Sequence, residues 1–290
     1  MSKPSVSAIK IIKISDGSNE SSSDLLAAEE PLEIRIGYGA KENRSQKSIA
    51  VTMRTPGHDF ELAVGFLLTE GIINTTAAIL SVKYCTELNT IENKENIVRV
   101  ELKEDIEIDT STLQRNFYAT SSCGVCGKAS IESIQTICEV IPDTLPFCIN
   151  KEIILSLPEK LRERQNVFEY TGGLHACALF DQKGNLVLAR EDIGRHNALD
   201  KLIAAGIVKE ENKKLNKYIL LLSGRASFEL IQKSAMAGIK IVCAIGAPSS
   251  LAVEMAKTFG ITLIGFLRDQ RFNIYSNEQR IKFEISLANK

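Results

Sequence analysis

The sequence predicts an α/β protein in two parts, a smaller N-terminal α+β domain and a C-terminal α/β domain with a mostly parallel sheet. The first observation is a set of three strongly apolar runs in the final third, at residues 218–222, 239–245 and 261–267. Helical patterns separate these runs, and strands so uniformly apolar between helices indicate a sheet covered on both faces. The second observation is a period-two alternation at residues 32–38 and 48–53, which is typical of half-buried strands.

Composition excludes several classes of partner. The 290 residues can bury a substantial core, and a net charge of −1 offers no general surface for nucleic acid. No apolar run reaches the roughly 18 residues of a membrane helix, and the N-terminus lacks a signal-peptide apolar region. Seven cysteines without a repeating disulfide spacing indicate free thiols, which persist in a reducing cytosol. We therefore predict a cytoplasmic protein with no nucleic-acid or membrane partner.

The chain is expected to divide into three segments. Residues 1–30 are predicted as a flexible segment, because 16–30 are polar and serine-rich, although alternating isoleucines before them indicate a short strand. The N-terminal α+β domain is expected at 31–145 and the C-terminal α/β domain at 146–290. A proline-containing connector at 141–147 marks the boundary between them.

The remaining elements follow from local signals. A charged turn at 41–44 joins the two alternating strands, and a break at 55–59 opens the first helix. His58 at that entrance is expected to be a turn or cap residue. A turn signal at 181–185 between two apolar runs predicts a hairpin. Helices are predicted at 60–69, 151–168, 194–206, 228–237 and 251–259.

The motif that bears chemistry is TSSCGVCGK at residues 120–128, which places Cys123 and Cys126 three positions apart among glycines. Glycine carries large backbone freedom, so a mobile, exposed loop is expected. A helical pattern begins just after Lys128, and both the lysine and the helix amides favour a nearby thiolate. The loop is therefore expected to carry a nucleophilic thiol that can move.

A single C-x-x-C is compatible with three kinds of chemistry. Structural zinc needs four ligands, and His58, His175 and His196 are scattered with no second C-x-x-C, so no metal site is expected. A thioredoxin-like dithiol opens a helix directly after a strand, which the glycines and serines here fit poorly. The third alternative is a sulfur carrier whose thiolate holds a persulfide.

A second candidate site lies where the apolar strands of the final third end. Ser223, Gly224 and Arg225 follow the first strand and lead into a helix, whose free amides suit a phosphate. Arg268 and Arg271 follow the third strand, and ligands of open α/β sheets bind at such ends. The pattern predicts a phosphorylated, nucleotide-like ligand, although solvated surface arginines are the alternative. The glycine spacing of a P-loop or dinucleotide fingerprint is absent.

Several blocks together resemble the FdhD family, the formate dehydrogenase accessory sulfurtransferases. The blocks stand in family order and cover most of the chain from about residue 30. They lie at residues 120–128, 170–176, 190–201, 223–229 and 232–238.

The resemblance implies a fold and a cofactor site. It implies that the C-terminal domain is cytidine-deaminase-like, with three layers, although no glutamate follows His175 as the H-x-E of zinc deaminases requires. It implies a molybdenum cofactor in the bis(molybdopterin guanine dinucleotide) form, bound as the object of sulfuration. The loop after the last strand of the sheet would contribute Phe266, Leu267, Arg268, Asp269, Gln270 and Arg271.

The resemblance also implies an activity and its partners. Cys123 would accept persulfide sulfur from a cysteine desulfurase and deliver it to the cofactor for formate dehydrogenase. Local electrostatics favour Cys126, nearer the following helix, whereas the family pattern assigns the persulfide to Cys123. Cys126 would then tune the thiolate or resolve the persulfide. The oligomeric state is open, with a homodimer as one alternative.

Other readings stay open at this point. Asp192, Arg195 and His196 either shape the cofactor pocket or form a structural salt-bridged turn. The alternative function is a non-enzymatic chaperone of the molybdenum cofactor. A thiol–disulfide oxidoreductase is the third candidate.

Overall fold

The computed structural model describes residues 3–85, 95–106, 108, 148–163 and 171–283. Cys123, Cys126 and the whole predicted C-x-x-C loop lie outside these residues. The strands are β1 (Val6–Ser15), β2 (Ser18–Ala27), β3 (Glu30–Tyr38), β4 (Ser45–Arg54), β5 (Ile79–Tyr84), β6 (Ile97–Leu102), β7 (Ile149–Asn150), β8 (His175–Phe180), β9 (Leu186–Asp192), β10 (Ile219–Leu222), β11 (Ile241–Ala244), β12 (Thr262–Arg268), β13 (Arg271–Ser276) and β14 (Ile281–Lys282). The helices are α1 (Asp59–Thr69), α2 (Lys151–Arg162), α3 (Arg195–Lys209), α4 (Phe228–Met236) and α5 (Ser250–Thr258). Within the described ranges, no helix is both long and apolar enough to cross a membrane.

The large sheet has six strands in the order β13-β12-β11-β10-β8-β9. The three apolar runs form its centre, where β10, β11 and β12 are parallel, as predicted. The prediction of a mostly parallel sheet is wrong, because β8, β9 and β13 each join an antiparallel pair. The physical reason is that tight turns connect β8 to β9 and β12 to β13, and hairpin-linked neighbours must be antiparallel.

Helices cover both faces of this sheet, as the uniformly apolar strands predicted. On one face, alternate strand residues such as Leu221 and Cys243 pack with Leu157 of α2. On the other face, Leu220 and Val242 belong to the core that α3, α4 and α5 share. The result is a three-layer α/β/α arrangement. Kinship with cytidine deaminases stays a prediction.

The small sheet has the order β4-β3-β6-β5, and α1 lies between it and α3. Leu32, Ile34 and Ile36 of β3 point inward and share one continuous core with Leu67 of α1 and Leu202 of α3. The predicted strands, charged turn and first helix of this part are confirmed. The boundary predicted near residue 145 falls outside the described residues and stays a prediction.

The N-terminal segment differs from its prediction. Strands β1 and β2 pair as an antiparallel hairpin over their whole length, so Ser18–Ala27 is a strand and not an irregular stretch. The serine-rich composition misled the prediction, since hydroxyl side chains are tolerated where both faces of a ribbon are exposed. Backbone pairing with the isoleucine-rich β1 then fixes the conformation, from Ser15↔Ser18 at the tip to Val6↔Ala27 at the base.

The contact between α1 and α3 depends on Gly65. A Cβ atom built on Gly65 would lie 1.9 Å from the carbonyl oxygen of Asp200 and 2.5 Å from its carbonyl carbon. Helix backbones approach this closely only where one of them lacks a side chain.

We predict that Gly65→Ala lowers the free energy of unfolding by about 1–3 kcal/mol, as expected for overpacking of a filled site. Chemical denaturation would measure this loss. Helix propensity alone would make the same change stabilising by roughly 0.5–1 kcal/mol. The sign of the measured change therefore shows whether overpacking or helix propensity dominates. Gly173→Ala is the control, because the nearest atoms to its added Cβ lie at 3.8 Å.

Candidate functional site

Four strands of the large sheet run in one direction and end at one edge, which we call the carboxyl edge. They are β9, β10, β11 and β12, since β9 and β10 are both antiparallel to β8 between them. Helices α3, α4 and α5 begin at this edge, directly after the first three of these strands. Ligands of open α/β sheets bind at such an edge.

Backbone hydrogen bonds connect the segments at the ends of β10, β11 and β12 to one another. The amide of Gly246 donates to the carbonyl of Gly224 at 3.0 Å, and the amide of Ala226 donates to Ala247 at 3.2 Å. The carbonyl of Gly246 accepts from the amide of Phe266 at 3.1 Å. Gly224 after β10 and Phe266 near the end of β12, both predicted site residues, are therefore joined through the backbone of Gly246.

The residues of the loop after β10 differ in whether their side chains have hydrogen-bonding groups free to contact a ligand. The hydroxyl oxygen of Ser223 accepts a hydrogen bond from the amide of Ala176 at 2.9 Å, so it helps to hold β8 against β10. Gly224 carries no side chain, and the ring of His175 lies over it. Arg225 is exposed, and in the described part of the chain it makes no hydrogen bond or ion pair.

The six predicted residues at 266–271 form the end of β12 and its turn into β13. Asp269 and Gln270 both have positive φ, 51° and 60°, which is the geometry of a two-residue type I′ hairpin turn. Arg268 and Arg271 face each other across this turn, and both are exposed. Leu267 is only 1% exposed and belongs to the core, so its side chain is not available to a ligand.

Four basic side chains lie at the start of β8, in the loop after β10 and at the start of α3. We call this group the cationic cluster. His175 is the first residue of β8, where it pairs with Asp192 of β9. On its other side, a Cβ built on Gly224 would lie 3.3 Å from the Nδ1 atom of His175. The members of the cluster are His175, Arg195, His196 and Arg225.

Two helices begin at this cluster without a side-chain cap. Neither Gly194 before α3 nor Ser227 before α4 makes a capping hydrogen bond through its side chain. By contrast, the hydroxyl of Ser249 accepts from the amide of Ala252 at 3.2 Å and caps α5. The dipoles of α3 and α4 therefore add positive potential at the cluster.

The cluster holds more positive than negative charge. Nε2 of His196 lies 2.9 Å from a carboxylate oxygen of Glu229 and 3.3 Å from the hydroxyl of Ser227. The Nε atom of Arg195 is buried and has no hydrogen-bond partner among the described residues. The ring of His175 likewise has none there. An arrangement of this kind favours an anion.

The electrostatics of the cluster keep His175 neutral near pH 7. Burial is the largest cause, because it opposes the charged imidazolium form. Electrostatic interactions with Arg195, His196 and Arg225 act in the same direction, and Asp192 opposes them. Together these effects hold the pKa of His175 below its ordinary value.

Asp192 belongs to a buried ion pair with Lys201, not with Arg195. Its Oδ2 atom lies 2.7 Å from Nζ of Lys201, and the two side chains are 0% and 1% exposed. The same carboxylate accepts hydrogen bonds from the amides of Thr55 and Gly194, while Nζ of Lys201 donates to the carbonyl of Thr55. Asp192 is thus structural, and it fixes the start of α3 and with it the position of Arg195.

A second ionic group flanks this region at the entrance to α1. Glu61 accepts two hydrogen bonds from Arg190, at 2.6 and 2.7 Å, and one of its oxygens lies 3.2 Å from Nδ1 of His58. Burial alone would raise the pKa of Glu61, but Arg190 and His58 lower it to about 2. His58 is a turn residue with φ of 56°, and its side chain makes no capping bond.

Sequence reasoning missed two residues of this site, His175 and Lys201. The period-two pattern could have indicated the first, since His175 shares a face of β8 with the buried Cys177 and Leu179. No signal of this kind marks Lys201, whose partner is fixed by packing.

Across the described ranges, no three histidine, cysteine or acidic side chains are placed to hold a metal ion. The thiols of Cys85, Cys148, Cys177 and Cys243 are free. The absence of a metal at the C-x-x-C pair stays a prediction, because those thiols lie outside the described residues.

The fold is shared with a solved structure. The crystal structure of a protein from Desulfotalea psychrophila, described as a proposed formate dehydrogenase accessory protein, superposes with a TM-score of 0.73. The match covers 96% of this chain and 100% of that one. With 24% sequence identity, the likeness establishes the fold.

Sequence comparisons go further than the fold. A protein from Streptomyces avermitilis named sulfur carrier protein FdhD is 46% identical over 282 residues, which make up 96% of each chain. A protein of the same name from Saccharolobus solfataricus is 40% identical over 276 residues, 95% of this chain and 98% of that relative. A model of the FdhD/NarQ family matches residues 27–282. The chain therefore belongs to the FdhD/NarQ family.

Proposed function

We propose that the chain is a sulfurtransferase that carries sulfur as a persulfide on Cys123 and delivers it to the molybdenum cofactor. The observation that carries the proposal is a glycine-flanked thiol pair in a chain that matches, over nearly its full length, relatives named sulfur carrier proteins. A carrier needs a thiolate that accepts sulfur and a surface that holds the acceptor. The loop at 120–128 provides the first, and the carboxyl edge provides the second.

Loading is a thiol–persulfide exchange with a cysteine desulfurase. The thiolate of Cys123 attacks the outer sulfur of the desulfurase persulfide, and the sulfur–sulfur bond of that persulfide breaks. The desulfurase cysteine leaves as a thiolate, and Cys123 becomes the persulfide. Lys128 stabilises the thiolate before the attack, and Cys126 tunes it or resolves the persulfide afterwards.

The acceptor is the bis(molybdopterin guanine dinucleotide) form of the molybdenum cofactor, which we treat as the substrate of the transfer. Its phosphates carry the negative charge that the carboxyl edge favours. Arg225 and the buried Nε atom of Arg195 are the donors available to a phosphate at the cationic cluster. Arg268 and Arg271, which the family pattern assigns to the cofactor, would hold a more distant part of the ligand.

The partners follow from these two steps. A cysteine desulfurase donates the sulfur, and a formate dehydrogenase receives the sulfurated cofactor. Free thiols in the described part of the chain are compatible with a reducing cytosol, where we place the reaction.

A cofactor chaperone without transfer chemistry is the second candidate. The observation in its favour is that Nε of the buried Arg195 and the exposed side chain of Arg225 have no hydrogen-bond partner among the described residues, so an anion can bind there through groups other than a thiol. Loading measurements separate the two functions, because a chaperone would hold the cofactor and accept no sulfur.

We expect Arg225→Ala to weaken binding of a guanine nucleotide such as GDP by about 1–3 kcal/mol, the usual cost of losing a charged hydrogen-bond partner. Arg271→Ala should weaken it as well, because the family pattern assigns Arg271 to the cofactor. Calorimetric titration measures both changes. Sulfur loading on Cys123 should be unchanged in either variant, because accepting sulfur does not need this surface.

The control is Lys183→Ala, which removes an exposed charge from the β8–β9 turn at the opposite edge of the sheet. Its affinity for the nucleotide should equal that of the unmodified protein. A variant of Arg271 that lost loading but kept its full nucleotide affinity would show that the roles of loop and edge are assigned the wrong way round.

A further inference from the structure

We propose that His175 takes up one proton when an oxyanion binds at the cationic cluster. The inference rests on the proposed function, in which a phosphorylated ligand occupies the carboxyl edge. It adds that the occupied site holds a positively charged imidazolium, whereas the empty site holds a neutral imidazole. Ligand binding would then depend on pH through a single histidine.

The geometry places His175 among cations whose nearby carboxylates already have other partners. The facing groups are Asp192 on β9, Arg195 and His196 on α3, and Arg225 after β10. Asp192 is occupied by Lys201 at 2.7 Å. Nε2 of His196 lies 2.9 Å from the carboxylate of Glu229. No described side chain makes a hydrogen bond to the ring of His175.

An oxyanion would change this balance. The positive charges of Arg195 and Arg225 disfavour a third charge on His175 while the site is empty. A doubly charged oxyanion between them cancels that field and gives the imidazolium N–H an acceptor. A proton from the solvent then binds the free ring nitrogen, and no other bond is formed or broken. The side chain that opposes charging in the empty site thus becomes a third cationic donor in the occupied one.

Uptake of a proton has a measurable consequence for affinity. Between the titration midpoints of His175 in the empty and occupied states, affinity should rise up to about tenfold for each unit by which pH falls. Outside that interval, affinity should be independent of pH. A purely electrostatic site without a titrating group would show no such interval.

The experiment uses the full-length protein and the ring resonances of its histidines. The chain has three histidines, His58, His175 and His196, so NMR signals can be assigned with single variants. Sulfate is the probe because it stays doubly charged across the range, whereas a phosphomonoester titrates with a second pKa of about 6, close to that of histidine. Sodium chloride at equal ionic strength is the reference, since salt alone screens the arginine charges.

We expect the midpoint of His175 to move to higher pH in sulfate than in chloride. His58 is the internal reference, because it is exposed and its Nδ1 atom lies 3.2 Å from Glu61, so its ring signals should not distinguish sulfate from chloride. His175→Gln should still bind sulfate, but the pH dependence of affinity should be lost. His58→Gln is the matched control and should retain that dependence.

Two results would overturn the inference. The first leaves the proposed function intact, and the second also contradicts the placement of the cofactor. If sulfate shifts the amide signals of Arg225 and Ser227 while the midpoint of His175 stays fixed, binding occurs without proton uptake, and the proposed function is unaffected. If sulfate shifts neither these amides nor any ring signal relative to chloride, the cluster is not an anion site. The placement of the cofactor at the carboxyl edge then fails together with the inference.

Discussion

Replacing Cys123 with alanine is expected to abolish sulfur loading, the largest effect of any single change in this chain. The reason is chemical, because transfer requires a thiolate to attack the donor persulfide, and alanine has no nucleophilic atom. The measurement is the intact mass of the protein after incubation with a cysteine desulfurase and cysteine. The unmodified chain should gain the mass of one sulfur atom, and Cys123→Ala should gain none.

Cys126→Ala and Cys148→Ala complete this experiment. Cys126→Ala should load more weakly, since the second thiol assists the first. Cys148→Ala should load normally, because this exposed cysteine lies directly before β7 and its thiol donates to the carbonyl of Gln279. Normal loading of Cys123→Ala would transfer the assignment to Cys126. Loss of loading in all three variants would point to a general defect in folding.

Much of the architecture could be predicted because single segments determine it. The run Ile241–Ala244 is buried on both faces of the sheet, and its uniform apolarity is a local property of four residues. The direction of β8 could not be read in this way, because its partner β10 lies some 40 residues further along the chain. Only the connections and the packing of α3 decide which neighbour β8 takes.

The candidate site shows the same division. The exposed arginines at strand ends were predicted, since Arg225 and Arg268 stand directly beside apolar runs. Lys201 was not, because its role depends on Asp192 and on the backbone of Thr55 nearly 150 residues away. Contacts between residues so far apart in the sequence are set by tertiary structure, and they produce no periodic pattern in the sequence.

A second buried ionic group joins α1, α3 and α4 around Lys233. Its Nζ atom, on α4, lies 2.9 Å from Oδ2 of Asp200 on α3 and 3.1 Å from Oε1 of Glu70 at the end of α1. It also bonds the hydroxyl of Thr69 at 2.9 Å. Burial opposes the charge of Lys233, but the two carboxylates more than offset it and raise its pKa above the ordinary value. The ammonium is therefore the common partner of three helices.

Lys233→Met is expected to lower the free energy of unfolding by about 3–5 kcal/mol, because it leaves the carboxylate of Asp200 buried without a counter-charge. Denaturant unfolding measures the change. Lys217→Met is the matched control, since that lysine pairs with Glu210 while 48% exposed, and such surface pairs contribute about 0–1 kcal/mol. Adding Asp200→Leu to Lys233→Met should restore part of the loss, because the buried charge is then removed as well. Equal effects of Lys233→Met and Lys217→Met would show that the buried group does not stabilise the junction between α1 and the C-terminal helices.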